Sequence, residues 1–323
     1  MGKASVEKYK SRISEVVLGA TGKEGGTRNK TITLGGESAP AYYYSEGLPK
    51  NKPAISHDVF DMPISLPGHV REHFPGDVMN DPAEWAKYRV KKYSAEMITL
   101  HMVSTDPKVK DTSVKDACRT IENVLQAVKV PLIIGGSGNP AKDPELLEKA
   151  AEVCSGERVL LSSVDPDMDY KRVASAALKH GHALMPLIPM NPDEMRRFNK
   201  TLIRLGLSRE DIVMDLFTGG VGYGIEYTVS AMERCRLAGL RGDVFLGVPI
   251  ASATSNAWSA REAWMRNDAW GPRELRGPLW ESTTAEIALL SGADIFMMLH
   301  PRAIAALEEI IGYLHYPKCG DRY

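Results

Sequence analysis

Four glycines fall within six residues in the stretch MDLFTGGVGYGIEYTVSAMER, Met214 to Arg234, between a short apolar run and a helical pattern. Glycines this dense let a backbone turn through positive φ or approach a ligand closely, so a phosphate cradle is the first chemistry to test. A dinucleotide turn needs G-x-G-x-x-G at the opening of a helix. Here Gly220, Gly222 and Gly224 run G-x-G-x-G, and Ile225 stands where the third glycine belongs. No glycine is followed by Lys and then Ser or Thr, which removes a P-loop as well. What remains is a structural strand-to-helix turn, or the rim of a site for something other than a nucleotide.

Other chemistry-bearing residues are sparse. Cys118, Cys154, Cys235 and Cys319 are scattered, with no C-x-x-C pair. A cluster or zinc site needs converging thiolates, so the expectation is no iron–sulfur cluster and no bound metal in this chain, and inert, buried thiols within helices. No H-E-x-x-H is present among the eight histidines. Asp215 ends an apolar run and is either an acid or base, or a cap for the Gly-rich turn. His57 and His300 are candidates to reach the same region, against a structural role for each. No nucleophile stands beside a base, so no catalytic residue is assigned, and the pattern favours a binding platform over a self-sufficient enzyme.

The elements that must position these residues follow a rhythm. Short apolar runs occur at Ala54–Val59, Met97–Val103, Leu132–Ile134, Val159–Ser162, Ala183–Ile188, Ile212–Leu216, Val244–Pro249 and Ile295–Leu299. Helical patterns lie between and after them, near 82–93, 113–128, 144–154, 169–180, 192–205, 226–239, 278–291 and 302–313. Asp81, Asp143 and Asn191 each precede a proline at a helix start, the order expected of a cap. Eight strands alternating with eight helices predict a (β/α)8 TIM barrel over 51–323, whose function sits on the loops after the strands. Residues 1–50 form an extension in which TITLGG and AYYYSEG are expected to pair as a hairpin plugging the barrel floor. The loop after the seventh strand, about 250–277, carries Trp258, Trp264 and Trp270. It is read as a cover over something flat or a protein contact, or as a local mini-core.

With 323 residues, 43% hydrophobic content and a formal charge of −1, the chain can bury a large core and shows no electrostatic footprint for nucleic acid or a membrane surface. No apolar run approaches the ~20 residues of a membrane helix, and the N-terminus lacks a signal-peptide core. The expected location is cytoplasmic.

Several motifs together resemble one family. GGTR (25–28), NDPAEWA (80–86), GYGIEY (222–227), MER (232–234), NAWSAREAW (256–264), GPLWE (277–281) and MLHP (298–301) are similar to the small subunit of the corrinoid iron–sulfur protein. Its archaeal counterpart is the delta subunit of the acetyl-CoA decarbonylase/synthase complex. The resemblance spans about residues 11–314 and implies a (β/α)8 barrel paired with a large subunit that holds a corrinoid and a [4Fe–4S] cluster. It further implies that the corrinoid (a cobamide shared with that subunit) lies against the barrel mouth. A methyl group would pass from a methyl-tetrahydropterin through cobalt to acetyl-CoA synthase, with transient contacts to a methyltransferase and to the synthase. The corrinoid-facing rim implied here is Asp215, Thr218, Gly219, Gly220, Gly222, Tyr223, Gly224, Ser252, Thr254 and Asn256. One departure is Asp215–Leu216, where the family often reads Asp-Pro. The alternatives are a stand-alone barrel methyltransferase gripping a pterin with Asp215 and Asp58, or a purely structural subunit.

Overall fold

Helix starts leave backbone N–H groups without partners, and the sequence supplies acceptors for them. In the computed structural model, which describes residues 7–43, 46 and 49–315, Asp81 accepts from Ala83 and Glu84 N–H. Ser113, Asp169 and Asn191 cap in the same way. Asp143 does not. It is the first residue of its helix, and its carboxylate turns back to accept from Ser137 N–H, Ser137 Oγ–H and Gly138 N–H. It therefore orders the preceding loop.

The strands are β1 (Glu15–Leu18), β2 (Ile32–Gly35), β3 (Ala54–Phe60), β4 (Ile98–His101), β5 (Leu132–Gly135), β6 (Leu160–Val164), β7 (Ala183–Pro186), β8 (Met214–Asp215), β9 (Ile250–Ala253) and β10 (Ile295–Met298). The helices are α1 (Gly68–Arg71), α2 (Pro82–Tyr93), α3 (Val114–Ala127), α4 (Asp143–Val153), α5 (Tyr170–His180), α6 (Pro192–Arg204), α7 (Ile225–Leu240), α8 (Arg261–Trp264), α9 (Arg273–Leu290) and α10 (Pro301–His315). Strands β3 to β10 form one parallel sheet. Isolated bridges Leu184–Ile212 and Leu187–Asp215 join β7 to β8 and close the ring. This is the expected (β/α)8 barrel. Alternation sorts the side chains. Ile55, Val59, Ile98, Leu100, Leu132 and Ile134 pack under the helices, while Ala54, Met97, Ile133, Ala183, Val213, Ala251 and Ile295 fill the interior.

The hairpin exists, with a different partner from the one expected. β2, within TITLGG, pairs antiparallel with β1, EVVL, from Glu15–Gly35 to Leu18–Ile32. Val16, Leu18 and Leu34 join the interior cluster and so seal the floor. EVVL offers two aliphatic side chains on one face for that task. In AYYYSEG, Ala41 and Tyr42 lie in a turn, Tyr43 is exposed, and Tyr44, Ser45 and Gly47 lie outside the described residues. The arginine of GGTR staples this end. Arg28 is buried and donates to Glu157 and to the carbonyls of Val128 and Leu125.

The seventh barrel strand is Ile250–Ala253 rather than Val244–Pro249. Asp243 takes the apolar run into a turn, its side chain accepting from Phe245 N–H and its carbonyl from Leu246 and Gly247 N–H. Pro249, which has no N–H to give a ladder, ends that turn. The following helix starts at Arg273, five residues before the expected point, and carries Pro278 inside it.

Candidate functional site

Inward parity at the C-terminal ends of the strands brings three titratable residues to the barrel mouth. Asp58 shares a face of β3 with Ala54 and Ser56, His101 a face of β4 with Met97 and Thr99, and Asp215 the face of Val213. Ser56 and Thr99 are hydrogen-bonded at 2.6 Å. Above them Asp58 Oδ1 meets His101 Nε2 at 3.0 Å. Asp58 is fully buried and its Oδ2 has no hydrogen-bond partner among the described residues, whereas the His101 side chain is 24% exposed. Behind β3, the buried guanidinium of Arg89 donates to the Asp58 carbonyl at 2.9 Å and lies over Phe74. Burial pulls its pKa down to about 10, which leaves it charged at neutral pH.

His57, expected at the mouth, points the other way. It shares the outward face of Ile55 and Val59, where burial and the Arg89 charge hold its pKa down at about 3. His300 also lies outside the mouth, stacked on Trp258 at 5.7 Å.

Asp215 is buried and accepts from Phe217 N–H at 2.8 Å. Burial pushes its pKa up to about 7. A carboxyl raised above its unfolded value contributes stability that is complete below about pH 4 and is lost as pH rises through 7. Asp215→Asn is therefore expected to lessen the fall in Tm between pH 4 and 8. Glu37 and Glu281, raised to about 8 and about 7 by burial, carry the same sign and leave part of the slope in place. Thermal melts across that range check this, and an unchanged slope would refute the buried assignment.

The Gly-rich loop after β8 is tied from below. Thr228 Oγ1 accepts from Gly219 N–H and donates to the Phe217 carbonyl. Val221 N–H donates to Thr284, Trp280 Nε1 to the Val221 carbonyl, and Asn256 Nδ2 to the Thr218 carbonyl. Tyr223 Oη donates to Glu262 at 2.7 Å, linking this loop to the next. A Cβ on Gly219 would lie 2.7 Å from the Tyr223 carbonyl oxygen, so close approach requires glycine there. Gly222 differs: its φ is +76 and no atom lies within 4 Å of a Cβ built on it.

The ten rim residues expected from the sequence thus divide. Gly222 and Tyr223 are exposed, and Gly224 and Asn256 half-buried. Asp215, Thr218, Gly219, Gly220, Ser252 and Thr254 are buried. Thr218 and Ser252 satisfy one another, and Thr254 donates to the Met297 carbonyl. Phe217, which sequence reasoning missed, is 41% exposed on this rim with a φ of 61, and Tyr227 is exposed beside it.

The tryptophan loop divides: Trp258 packs into a local mini-core, while Trp264 and Trp270 do not. Trp258 is half-buried against Gly277, donates Nε1 to Glu281 at 2.8 Å and stacks near His69 and His300. Glu281, wholly buried, also accepts from the N–H groups of Leu299 and His300. Trp264 and Trp270 are exposed. A groove of about 350 Å³ opens beside Trp258 and Trp264, between Ser65–Gly68 and Arg273.

Cys154 and Cys235 are buried, with thiols pushed up to about 12, whereas Cys118 is half-buried rather than enclosed. Cys319 lies outside the described residues. The pair His180 and His182 has ligand-like spacing, but His182 is held by Val159 N–H and the Ala151 carbonyl at the opposite end of the barrel. Among the described residues no group of three or more His, Cys, Asp or Glu is placed to hold a metal, and no helix is long and apolar enough to cross a membrane.

This plugged barrel with a polar mouth falls in the same fold class as the dihydropteroate synthases. The enzyme from Xanthomonas albilineans, solved with 4-aminobenzoic acid, matches with a TM-score of 0.57 over 84% of this chain and 96% of its own, at 17% identity. That from Thermus thermophilus matches at 0.52 over 92% and 97%, also at 17% identity. At such identity the likeness is one of fold. The chain itself belongs to the CO dehydrogenase/acetyl-CoA synthase delta subunit family, whose profile matches residues 15–303. It is 49% identical to the acetyl-CoA decarbonylase/synthase complex subunit delta of Archaeoglobus fulgidus over 95% of this chain and 70% of the relative. With the subunit delta of Methanothermobacter thermautotrophicus it shares 50% identity over 94% and 76%.

Proposed function

We propose that this chain is the barrel subunit of a corrinoid iron–sulfur methyl carrier, and that its C-terminal rim covers a corrinoid held by a large partner subunit. The observation that carries this reading is the loop after β8: fixed from below by Thr228, Thr284 and Trp280, and bare above Gly222. Exposed Phe217, Tyr223 and Tyr227 give the same rim apolar contact area. Such a surface fits a broad, largely apolar face presented by another protein, and it offers no ligand set of its own among the described residues. When bound, the corrinoid supplies the cobalt that carries a methyl group between a methyl-tetrahydropterin and acetyl-CoA synthase, in reversible acetyl-CoA synthesis or cleavage. The chain's residues contribute shielding, because a covered site excludes the water that would consume a reactive reduced metal.

Gly222→Val tests the reading. A β-branched residue at positive φ costs about 1–2 kcal/mol, so the lone subunit is expected to melt slightly lower. The valine side chain would project into the open space where the partner docks. Pairing with the large subunit and retention of its corrinoid absorption band should therefore weaken by tenfold or more, on the order of 1.4 kcal/mol. Unchanged pairing, or a purified complex with no corrinoid band, would overturn the proposal.

A further inference from the structure

Asp58 and His101 have the form of an orienting acid and an accessible base. A carboxylate only accepts, so the imidazole Nε2 carries the proton of their 3.0 Å bond and Nδ1 holds the lone pair of the neutral ring. Phe60 stacks on the ring at 4.9 Å and fixes its plane. Nδ1 faces Gly135: a Cβ built there would sit 3.4 Å from it, so glycine keeps that nitrogen uncovered. Asp58 is in turn held by its own strand, whose carbonyl Arg89 grips from behind. The charged or titratable groups around the pair are His57 and Arg89 behind β3, Glu281 on α9, whose carboxyl the Asp58 charge helps to push up, and Asp61 bound to Ser104 on the loop after β4. None of these is hydrogen-bonded to the His101 ring.

We infer that the barrel mouth is itself a proton-transfer site, with His101 as the acid and base and Asp58 as its positioning residue, acting on a ring nitrogen of an N-methylated heterocycle. This goes beyond the covering role above and rests on methyl transfer being the reaction. A methyl group bound to nitrogen leaves poorly unless the nitrogen receives a proton, because an amide anion is too basic to depart. In the forward step the N–CH3 bond breaks with its electron pair left on nitrogen. The methyl passes, as a cation equivalent, to an electron-pair donor of the reduced corrinoid class, which is formally oxidised by two electrons. The Nδ1 proton of the His101 imidazolium moves to the nitrogen, giving N–H and neutral imidazole. In reverse, neutral His101 takes that proton back. Its exposed edge exchanges with water between turnovers.

The test uses the reconstituted complex with its large subunit and a methyl-tetrahydropterin as donor. His101→Gln should slow methyl transfer by about 100-fold or more and remove the fall in rate at high pH, as loss of a general acid does. Gly135→Ala, which places a methyl group over Nδ1, should slow transfer while keeping the wild-type pH profile. A second measurement needs no turnover. Diethyl pyrocarbonate should carbethoxylate His101 in the wild type, read by mass spectrometry, and about tenfold more slowly in Gly135→Ala; buried His57 and His182 should resist. If His101→Gln does not fold, Gly135→Ala and the modification rates decide the matter. Wild-type rate and pH profile in His101→Gln, or a His101 as inert as His57, overturns the dyad alone. A wild-type complex without a corrinoid band overturns the covering role and the dyad together.

Discussion

Gly277→Val is expected to unseat the tryptophan loop and to lower the melting temperature of the chain by several degrees. A Cβ at this position would lie 2.2 Å from Trp258 Cη2 and 2.4 Å from its Cζ3. The ring cannot yield easily, because it is pinned to Glu281 on one side and packed beside His69 and His300 on others. Overpacking costs about 1–3 kcal/mol, and loss of the indole bond to a buried carboxyl adds about 1.5–3 kcal/mol. Tryptophan emission should shift to the red as Trp258 meets water. Gly277→Ala should move both signals the same way by less. A valine variant that melts and fluoresces like the wild type would show that the loop has room the structure denies it.

The second large effect belongs to the other end of the barrel. Arg236, buried, donates Nη1 to Glu37 at 2.9 Å and Nη2 to Asp294 at 2.6 Å, and also contacts the Gly292 carbonyl. This triad ties the segment after β2 to the start of β10. Arg236→Met leaves two carboxyls buried without their cation, a loss of about 3–5 kcal/mol. Burial, then the neighbouring Asp294, pushes Glu37 up to about 8. Its contribution is therefore complete below about pH 4.5 and declines as pH rises through 8. In the variant Glu37 can take up a proton in acid, so the loss should be larger at pH 8 than at pH 5. Chemical denaturation at the two pH values measures the difference. An equal loss at both would mean that Glu37 does not titrate in that window.

Local chemistry was readable from the chain, and non-local pairing was not. Asp81 and Asn191 act within three residues of themselves, so a cap can be inferred from neighbours alone. Asp143 satisfied the same local rule, yet its carboxylate found better donors six residues back. The misplaced seventh strand has a similar cause: the run Val244–Pro249 is apolar enough for a strand, but Asp243 bonds it into a turn. Asp58 and His101 lie 43 residues apart. Their meeting depends on the register of β3 against β4, which no spacing rule reports. The motifs NAWSAREAW, GPLWE and MLHP looked like separate signatures. In the structure they are one contact, Trp258 to Gly277, Glu281 and His300. The Gly-rich stretch does follow a barrel strand, at its C-terminal end, though most of its expected rim partners lie inside the wall rather than on it.

The floor of the barrel is filled by Val16, Leu18 and Leu34 from the β1–β2 hairpin. Among the described residues the stopper at the bottom leaves the C-terminal mouth as the side from which the interior is approached. If the proposed function holds, a methyl donor and its acceptor come face to face at that mouth and neither passes through in file.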